Sequence, residues 1–264
     1  MENPERVSWS WRRPLIPAHD MTDVEKSETV RLLESRVSVR KFRPDPVSDD
    51  LLATVLRAAC RAPTSSNIQA YSLIVIRDAE TRRAVSVLAG NQAHVADTPV
   101  LLAVCADLSR ARRACELHGR PFAGQNMEIG LVATVDASLA GMCVMLAAES
   151  LGLGCVMIGG MRNKPLETAR LLALPDGAFV VFGMCLGWPL ERPEMRPRVP
   201  DDGAIHLGRY DASRTDDVLR AYDEMITNKG DAAMTWTARI SRDFSTARRP
   251  DMRACLAALG LPFE

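Results

Sequence analysis

The chain has 264 residues, of which 47% are hydrophobic and 25% are charged, the composition of an ordinary folded globular protein and not of a disordered or fibrous one. Lysine and arginine together number 33, as do aspartate and glutamate, so no net field would draw the protein onto nucleic acid or an anionic membrane. The length suits one large domain or two small ones, with a sizeable core.

The cysteines and histidines favour a reducing compartment and no metal site. The 7 cysteines are odd in number and contain no C-x-x-C pair, and most lie in apolar runs, a pattern typical of buried free thiols. The 4 histidines do not have metal-ligand spacing. The first residues lack the order of a signal peptide, and the longest apolar stretch, residues 131–161, carries acidic residues and several glycines. We therefore expect a cytoplasmic protein with no membrane segment.

Hydrophobic periodicity and capping residues predict the elements of the first half of the chain. Residues 1–27 have no regular pattern and are expected to form an extension on the surface or on a partner subunit. Ser48 is the N-cap of a helix that Pro63 ends, and Gly90 with Asn91 closes another helix. In chain order the predicted elements are helices over 27–36, 49–62 and 78–89 and strands over 71–76 and 99–105, the last of them a central strand.

The second half continues the alternation of helices and buried strands. Its predicted elements are a long apolar helix over 128–151, a strand over 155–158, a helix over 165–172, a strand over 179–186 and polar helices around 218–226 and 237–244. No repeat and no Gly/Ser-rich linker divides the chain. We therefore expect one α+β or α/β domain, with residues 28–210 as its core and residues 211–264 as a C-terminal helical arm.

The common nucleotide and hydrolase motifs are absent from the sequence. There is no G-x-x-x-x-G-K-S/T, the glycines at 152, 154, 159 and 160 do not make G-x-G-x-x-G, and no G-x-S-x-G occurs. These absences argue against P-loop enzymes, Rossmann dehydrogenases and serine hydrolases. No side-chain nucleophile or general base stands out, so the sequence predicts no catalytic side chain.

Two short arginine pairs are the strongest signal for a ligand. In an extended backbone alternate side chains share a face, so Arg36, Ser38 and Arg40 would lie on one side and the intervening valines on the other. A proline holds Arg196 and Arg198 extended in the same way. Guanidinium groups bind phosphate in a bidentate manner, so the two pairs are candidates for a single phosphate site. By spacing alone, both pairs also fit solvated residues at a strand edge.

Two further segments are candidates for contact with a ligand. Residues 64–69 form a cluster of small hydrogen-bonding side chains where a helix gives way to a strand. Gly159 and Gly160 follow a buried strand and would let a ligand lie against bare backbone. An ordinary polar loop and a tight turn remain the alternatives for these two segments.

Together these segments resemble the flavin-dependent nitroreductase family, in particular the oxygen-insensitive NADPH nitroreductase and flavin reductase group. The similarity runs in register over roughly residues 30–210 and more loosely through Tyr222-Asp223, Thr235-Trp236 and Arg249-Pro250. The matching segments are RVSVRKF at 36–42, APTSSNIQ at 62–69, GNQAHV at 90–95, AAESLGLGCVMIGGMRN at 147–163, FGMCLGWP at 182–189 and RPRVP at 196–200.

The resemblance implies an α+β fold in which helices flank a central, mostly antiparallel sheet. It also implies an intertwined homodimer with one FMN per subunit at the dimer interface. The positions that match flavin-binding residues of the family are Arg36, Ser38, Arg40, Ser65, Ser66, Asn67, Gln92, Met157, Ile158, Gly159, Gly160, Arg196 and Arg198, some of them acting from the second subunit. The positions that match the substrate pocket are Ser66, Asn67, Lys229 and Arg249.

The implied activity is that of an FMN-dependent NAD(P)H oxidoreductase with a ping-pong mechanism. A reduced nicotinamide donates a hydride to the flavin and leaves, and a nitroaromatic, a quinone or a free flavin then takes the electrons in the same pocket. The chain departs from the family pattern at Val37, at Met157 and in residues 227–234, where Lys229 is the single basic residue. A lone lysine gives no bidentate grip on the extra phosphate of NADPH, so both NADPH and NADH stay open as the donor.

Two alternatives to a general reductase remain at this point. The N-terminal extension and the altered 227–234 loop also fit an FMN reductase dedicated to one biosynthetic or degradative metabolite. A non-catalytic flavin-binding module would use the same arginines without turning over substrate. High selectivity across a panel of acceptors would favour the dedicated reductase. Slow hydride transfer from both NADH and NADPH to bound flavin would favour the non-catalytic module.

Overall fold

The computed structural model describes residues 25–227 and 234–261. It divides the chain into two compact units, one containing Thr29–Met195 with the segment from Arg249 onward, the other containing Arg196–Arg248. The predicted boundaries of a core over 28–210 and an arm over 211–264 stay a prediction.

A single antiparallel sheet forms the centre of the larger unit. Within the described residues its strands are β1 (Tyr71–Ile76), β2 (Val100–Asp107), β3 (Gly154–Ile158) and β4 (Ala178–Gly187), in the order β1-β2-β4-β3. Every neighbouring pair is antiparallel. All residues of β2 and β4 are buried, as their continuous apolar runs predict. The predicted antiparallel sheet is confirmed, with β1 and β3 at its two edges.

Within the described residues the chain forms eleven α-helices, some of which begin at a residue whose side chain caps the helix. They are α1 (Glu28–Ser35), α2 (Asp49–Ala59), α3 (Ala79–Leu88), α4 (Ala93–Asp97), α5 (Ser109–Leu117), α6 (Met127–Ser150), α7 (Pro165–Leu171), α8 (Asp201–Ala204), α9 (Thr215–Thr227), α10 (Trp236–Phe244) and α11 (Met252–Ala258). The Ser48 hydroxyl accepts from the Leu51 N–H, and the Asp78 carboxylate accepts from the Thr81 N–H. Gly90 and Asn91, both at positive φ, close α3 as predicted.

The predictions miss short or polar helices and misplace one end. α5 is polar, buries no residue and has no side-chain cap, so its sequence lacks the apolar residues that identify a core helix. α4 has 5 residues and α11 has 7, too few for a clear period. α2 ends at Ala59, before the predicted stop at Pro63, because the chain turns at Cys60 and Arg61.

Helices cover both faces of the sheet. On β2, Leu102, Val104 and Ala106 pack into a core cluster with residues of α2 and α6. The alternate residues Leu101 and Ala103 pack into a second cluster with residues of α3 and α4. The sheet therefore lies between two layers of apolar side chains, as the alternation of side chains along a strand requires.

The longest helix, α6, is a core helix with one uncovered face. Its Asn126 cap accepts from the Ile129 N–H at 3.0 Å. By length and composition alone it would be long and apolar enough to cross a membrane, but it packs its buried residues, Asp136 among them, into the larger unit. The predicted core helix is confirmed. Its uncovered face carries Met127, Leu131, Val135 and Leu139, which are 37–54% exposed.

The cysteines are less uniformly buried than the sequence predicts. Cys105, Cys155 and Cys185 are buried, whereas Cys60 is exposed and the others are partly exposed. Burial raises the pKa of Cys105 and of Cys185 to about 12, so these thiols stay protonated at neutral pH. All 7 lie in the described ranges and are free.

The smaller unit is built from α8, α9 and α10. The Asp223 carboxylate on α9 accepts from the Thr237 N–H at 3.0 Å, and the Tyr222 ring meets the Trp236 ring edge-on with centroids 5.5 Å apart. These contacts join α9 to α10, and both predicted polar helices are confirmed. The Tyr222 hydroxyl donates to the Pro197 carbonyl oxygen at 3.0 Å, which fixes the extended segment that begins this unit.

Candidate functional site

The segment Arg36–Phe42 runs beside β3 at the edge of the sheet. The Val39 N–H donates to the Cys155 carbonyl oxygen at 3.0 Å, and Ser38 pairs with Cys155 in a parallel bridge. Val39 is 4% exposed and lies against Gly154, where an added Cβ would stand 2.8 Å from the Val39 side chain. Because glycine has no side chain, the two backbones approach closely. The segment that carries the predicted phosphate ligands is thereby held at this edge.

The substitution Gly154→Ala is expected to push the segment away from β3. The new methyl group would overlap Val39, and overpacking of this kind destabilises a protein by roughly 1–3 kcal/mol. Displacement of Ser38 and Arg40 should weaken FMN binding in parallel. Thermal unfolding and an FMN titration measure the two effects. A Gly154→Ala protein with the original melting temperature and FMN affinity would show that this close approach does not position the ligands.

Arg36 and Arg40 lie in different surroundings although the sequence predicts a shared face. Arg36 Nη2 donates to Glu149 Oε1 at 3.3 Å, and the two side chains are 19% and 8% exposed. Arg36 Nε and Glu149 Oε2 have no hydrogen-bond partner among the described residues. Burial raises the pKa of Glu149, although the Arg36 charge opposes this rise. Arg40 is exposed and forms no ion pair in the described part of the chain.

A cavity of about 220 Å³ lies beside the Arg36–Glu149 pair. Val37 and Val39 also line it. Arg40 adds its charge to the effect of burial, and together they lower the pKa of His94. Contact of Arg36 with a phosphate stays a prediction.

The polar loop at 65–69 has an unusual backbone that one buried carboxylate holds. Ser66, Asn67 and Gln69 have φ values of 47°, 57° and 55°. Asp136 on α6 is 0% exposed, and its oxygens accept from the Ser65 N–H at 3.0 Å and the Ala70 N–H at 3.1 Å. The predicted ligands of this loop are therefore exposed side chains on a fixed backbone.

The turn after β3 brings several predicted flavin ligands together. Ile158 is buried, and Met157 is 41% exposed at the end of an otherwise buried strand. Gln92 Nε2 donates to the Ala89 carbonyl oxygen at 2.7 Å. A Cβ added at Gly160 would stand 2.4 Å from that oxygen and 2.5 Å from Gln92 Nε2. The loop before α4 and the turn after β3 are therefore packed against each other with no room for a side chain.

Arg249 forms hydrogen bonds with the same turn. Its guanidinium donates to Asn163 Oδ1 at 2.8 and 3.0 Å and to the Gly159 carbonyl oxygen at 3.2 Å. Arg249 also lines a cavity of about 220 Å³ with Arg162 and Lys164. Burial and the Arg249 charge lower the pKa of Arg162. The predicted substrate residue is thus bound to the turn and also faces an open space.

The remaining predicted residues belong to the smaller unit or to the part of the chain that the structure does not describe. Arg196 and Arg198 are exposed residues of the smaller unit, and Arg198 Nη1 donates to the Arg196 carbonyl oxygen at 3.2 Å. Lys229 lies outside the described residues.

Within one chain, the polar loop and the turn after β3 are separated by the sheet. The loop precedes β1 and the turn follows β3, which are opposite edges of the sheet. Three spacings between neighbouring strands amount to about 14 Å. In the described ranges no hydrogen bond joins residues 65–69 to residues 157–160. A ligand in contact with both groups within one chain would have to bridge this distance.

Three residues of the site have no identifying signal in the sequence. Asp136 and Glu149 lie in an apolar helix, and their partners are 71 and 113 residues away along the chain. Asn163 directly follows the glycine turn, and nothing in the pattern predicts its contact with Arg249.

Comparison with known proteins agrees with this geometry. The family model described as Nitroreductase family matches residues 33–188, and its C-terminal domain model matches residues 196–264. The chain belongs to the nitroreductase family. The family predicted from the motifs is therefore confirmed.

Curated relatives and a solved structure cover nearly all of the chain. The FMN reductase (NAD(P)H) of Bacillus subtilis is 34% identical over 90% of this chain and 99% of its own length. The oxygen-insensitive NADPH nitroreductase of Salmonella typhimurium is 35% identical, over 85% and 94%. The structure of the NADPH:FMN oxidoreductase of Vibrio harveyi complexed with NAD+ has a TM-score of 0.84 at 32% identity, over 90% of this chain and 100% of that one.

Proposed function

We propose that this protein is an FMN-dependent NAD(P)H oxidoreductase that passes electrons to nitroaromatics, quinones or free flavin. The observation that carries the proposal is the match to relatives named as FMN reductases and nitroreductases over almost their whole length. We also propose that it acts in the cytoplasm, since its seven cysteines are free thiols.

The described residues fit a flavin mononucleotide. The Arg40 guanidinium has no carboxylate partner among them and suits a phosphate group. The packed turn at Gly159 and Gly160 presents backbone without side chains, on which a planar ring system can lie. The polar loop offers the side chains of Ser66 and Asn67, both exposed, as hydrogen-bonding groups. We propose that these groups, with Arg196 and Arg198, bind the FMN.

When bound, the flavin supplies reversible hydride chemistry, and the protein supplies orientation and charge. Arg40 and the other predicted arginines hold a negatively charged cofactor through charge-assisted hydrogen bonds. The Arg249 guanidinium fixes Gly159, so the turn that supports the ring is kept in one conformation. With FMN bound, the donor and the acceptor would occupy the same pocket in turn, which gives ping-pong kinetics.

We further propose that the protein works as a homodimer joined through α6. The face that carries Met127, Leu131, Val135 and Leu139 has a spacing of four residues, so these side chains form one continuous apolar stripe. Such stripes mark protein interfaces. A second copy on this stripe would also explain how two groups of flavin ligands on opposite edges of the sheet serve one ligand, since each chain would complete the site of the other.

Purified protein tests the proposed function. We expect a yellow protein that retains FMN through gel filtration and oxidises a reduced nicotinamide when given nitrofurazone or menadione. A broad response to an acceptor panel distinguishes a general reductase from one dedicated to a single metabolite. Colourless protein that cannot be reconstituted with added FMN would contradict the proposal.

A further inference from the structure

The loop between α2 and β1 holds a backbone conformation that its own residues do not favour. Ser66, Asn67 and Gln69 all have φ values in the left-handed region, and none of them is a glycine. Non-glycine residues adopt this region infrequently, and such conformations persist where surrounding contacts impose them. Hydrogen bonds within the loop, such as that from the Ile68 N–H to the Ser65 carbonyl oxygen, support this conformation, and contacts from outside the loop add to them.

Asp136 provides these contacts at both ends of the loop. One carboxylate oxygen accepts from the Ser65 N–H at 3.0 Å and the other from the Ala70 N–H at 3.1 Å. The side chain is 0% exposed, and no cation of the described ranges lies within ion-pair distance of it. An apolar residue at this position would leave both N–H groups without these hydrogen bonds, and Ala70 is itself buried. The carboxylate therefore ties α6 to the backbone at both ends of the loop.

Arg110 makes a further contact with the loop backbone. Arg110 on α5 donates to the Gln69 carbonyl oxygen at 2.7 Å, and its guanidinium lies 3.5 Å from the Asp107 carboxylate. The carboxylate of Asp136 therefore binds N–H groups of the loop, while the guanidinium of Arg110 binds one of its carbonyl groups. Both N–H donors and a carbonyl acceptor of the loop backbone are therefore bound by side chains from outside the loop.

We propose that Asp136 is a positioning residue that sets the conformation of the 65–70 loop and so presents Ser66 and Asn67 to the flavin. This inference rests on the proposed function, because the loop acts on FMN. Asp136 itself touches neither cofactor nor substrate. It lies beside Val135 of the apolar stripe on α6, so the same turn of helix carries the proposed dimer face outward and the loop anchor inward.

The substitution Asp136→Asn tests the role of the carboxylate. The amide oxygen can accept from one loop N–H, but the amide nitrogen faces the other N–H and cannot accept from it. In the apoprotein we expect hydrogen exchange at Ser65 and Ala70 to speed up by at least about tenfold, and FMN affinity to fall by a similar factor, as for loss of a hydrogen bond to a charged group. Ser138→Ala is the matched control, since the Ser138 hydroxyl donates within α6 to the Thr134 carbonyl oxygen.

The outcomes separate the anchor from the proposed function. Faster exchange together with weaker FMN binding, both absent in Ser138→Ala, supports the positioning role. A lower melting temperature with unchanged exchange and FMN affinity overturns it. If the unsubstituted protein binds no FMN, the proposed function fails and the positioning role fails with it, while exchange in the apoprotein still reports whether the loop is anchored. If Asp136→Asn does not fold, hydrogen exchange and FMN affinity are measured on the double variant Asp136→Asn with Gln69→Gly. Glycine adopts positive φ freely, so this change relieves backbone strain at position 69.

Discussion

Replacing Leu131 and Val135 with glutamate is expected to give a monomeric protein that binds FMN weakly and turns over little substrate. Both side chains lie on the exposed apolar stripe of α6, where they are 52% and 54% exposed in the single chain. In a two-fold interface each substituted residue also faces the partner's copy of the same surface. Carboxylates buried there without a counter-charge cost several kcal/mol, so the dimer should dissociate.

Light scattering after gel filtration measures the oligomeric state, and an FMN titration measures the cofactor site. Val87→Glu is the matched control, since Val87 is an apolar residue of α3 that is 64% exposed and lies away from the stripe. We expect the control to remain dimeric and the double variant to lose at least about tenfold in FMN affinity. A monomeric variant with full FMN affinity would show that one chain contains a complete site. A variant that stays dimeric would place the interface elsewhere.

The substitution Gly160→Ala is expected to damage both the fold and the cofactor site. The added Cβ would stand 2.4 Å from the Ala89 carbonyl oxygen, which is a backbone atom and cannot move aside alone. Either the turn after β3 or the end of α3 must shift, at a cost of roughly 1–3 kcal/mol, the usual range for overpacking. For a chain of this size each kcal/mol lowers the melting temperature by about 2–4 °C.

Gly159→Ala distinguishes the effect of an added methyl group on stability from its effect on FMN binding. A Cβ at Gly159 meets no atom closer than Arg162 Nη2 at 3.6 Å, an ordinary van der Waals contact. We expect Gly159→Ala to keep the melting temperature but to bind FMN less tightly, because its methyl group would stand where the ring is proposed to lie. Gly160→Ala should lower both quantities. Equal FMN affinity in Gly159→Ala and the unsubstituted protein would argue that the flavin does not lie on this turn.

The larger part of the fold follows from local sequence patterns. The continuous apolar runs of β2 and β4 identify strands buried on both faces, and Ser48 identifies a helix start by a side chain that accepts from a backbone N–H group. α5 could not be found this way, because it is rich in arginine, has no side-chain cap and buries none of its residues. Hydrophobic patterns therefore detect helices that pack on the core better than helices that do not.

The sequence predicts which segments form the candidate site, but it does not predict the contacts between them. The motif residues of the polar loop, the glycine turn and the arginine pairs are visible in the sequence. The anchor from Asp136 to the loop joins residues 66 and 71 positions apart, and the Arg36–Glu149 pair joins residues 113 apart. No local pattern encodes a partner at such separation. The left-handed residues of the loop were also unpredictable, because no glycine marks them.

As the proposed oxidoreductase, the FMN-loaded protein should accept a hydride from a reduced nicotinamide and pass the electrons to an organic acceptor. Anaerobic stopped-flow mixing of the FMN-loaded protein with NADPH, and separately with NADH, measures the first half-reaction as loss of the flavin's visible absorbance. We predict rapid bleaching by at least one donor, followed by full recovery of the absorbance when nitrofurazone is added. Flavin that stays bound but is bleached by neither donor, or bleached flavin that no acceptor restores, would contradict the account.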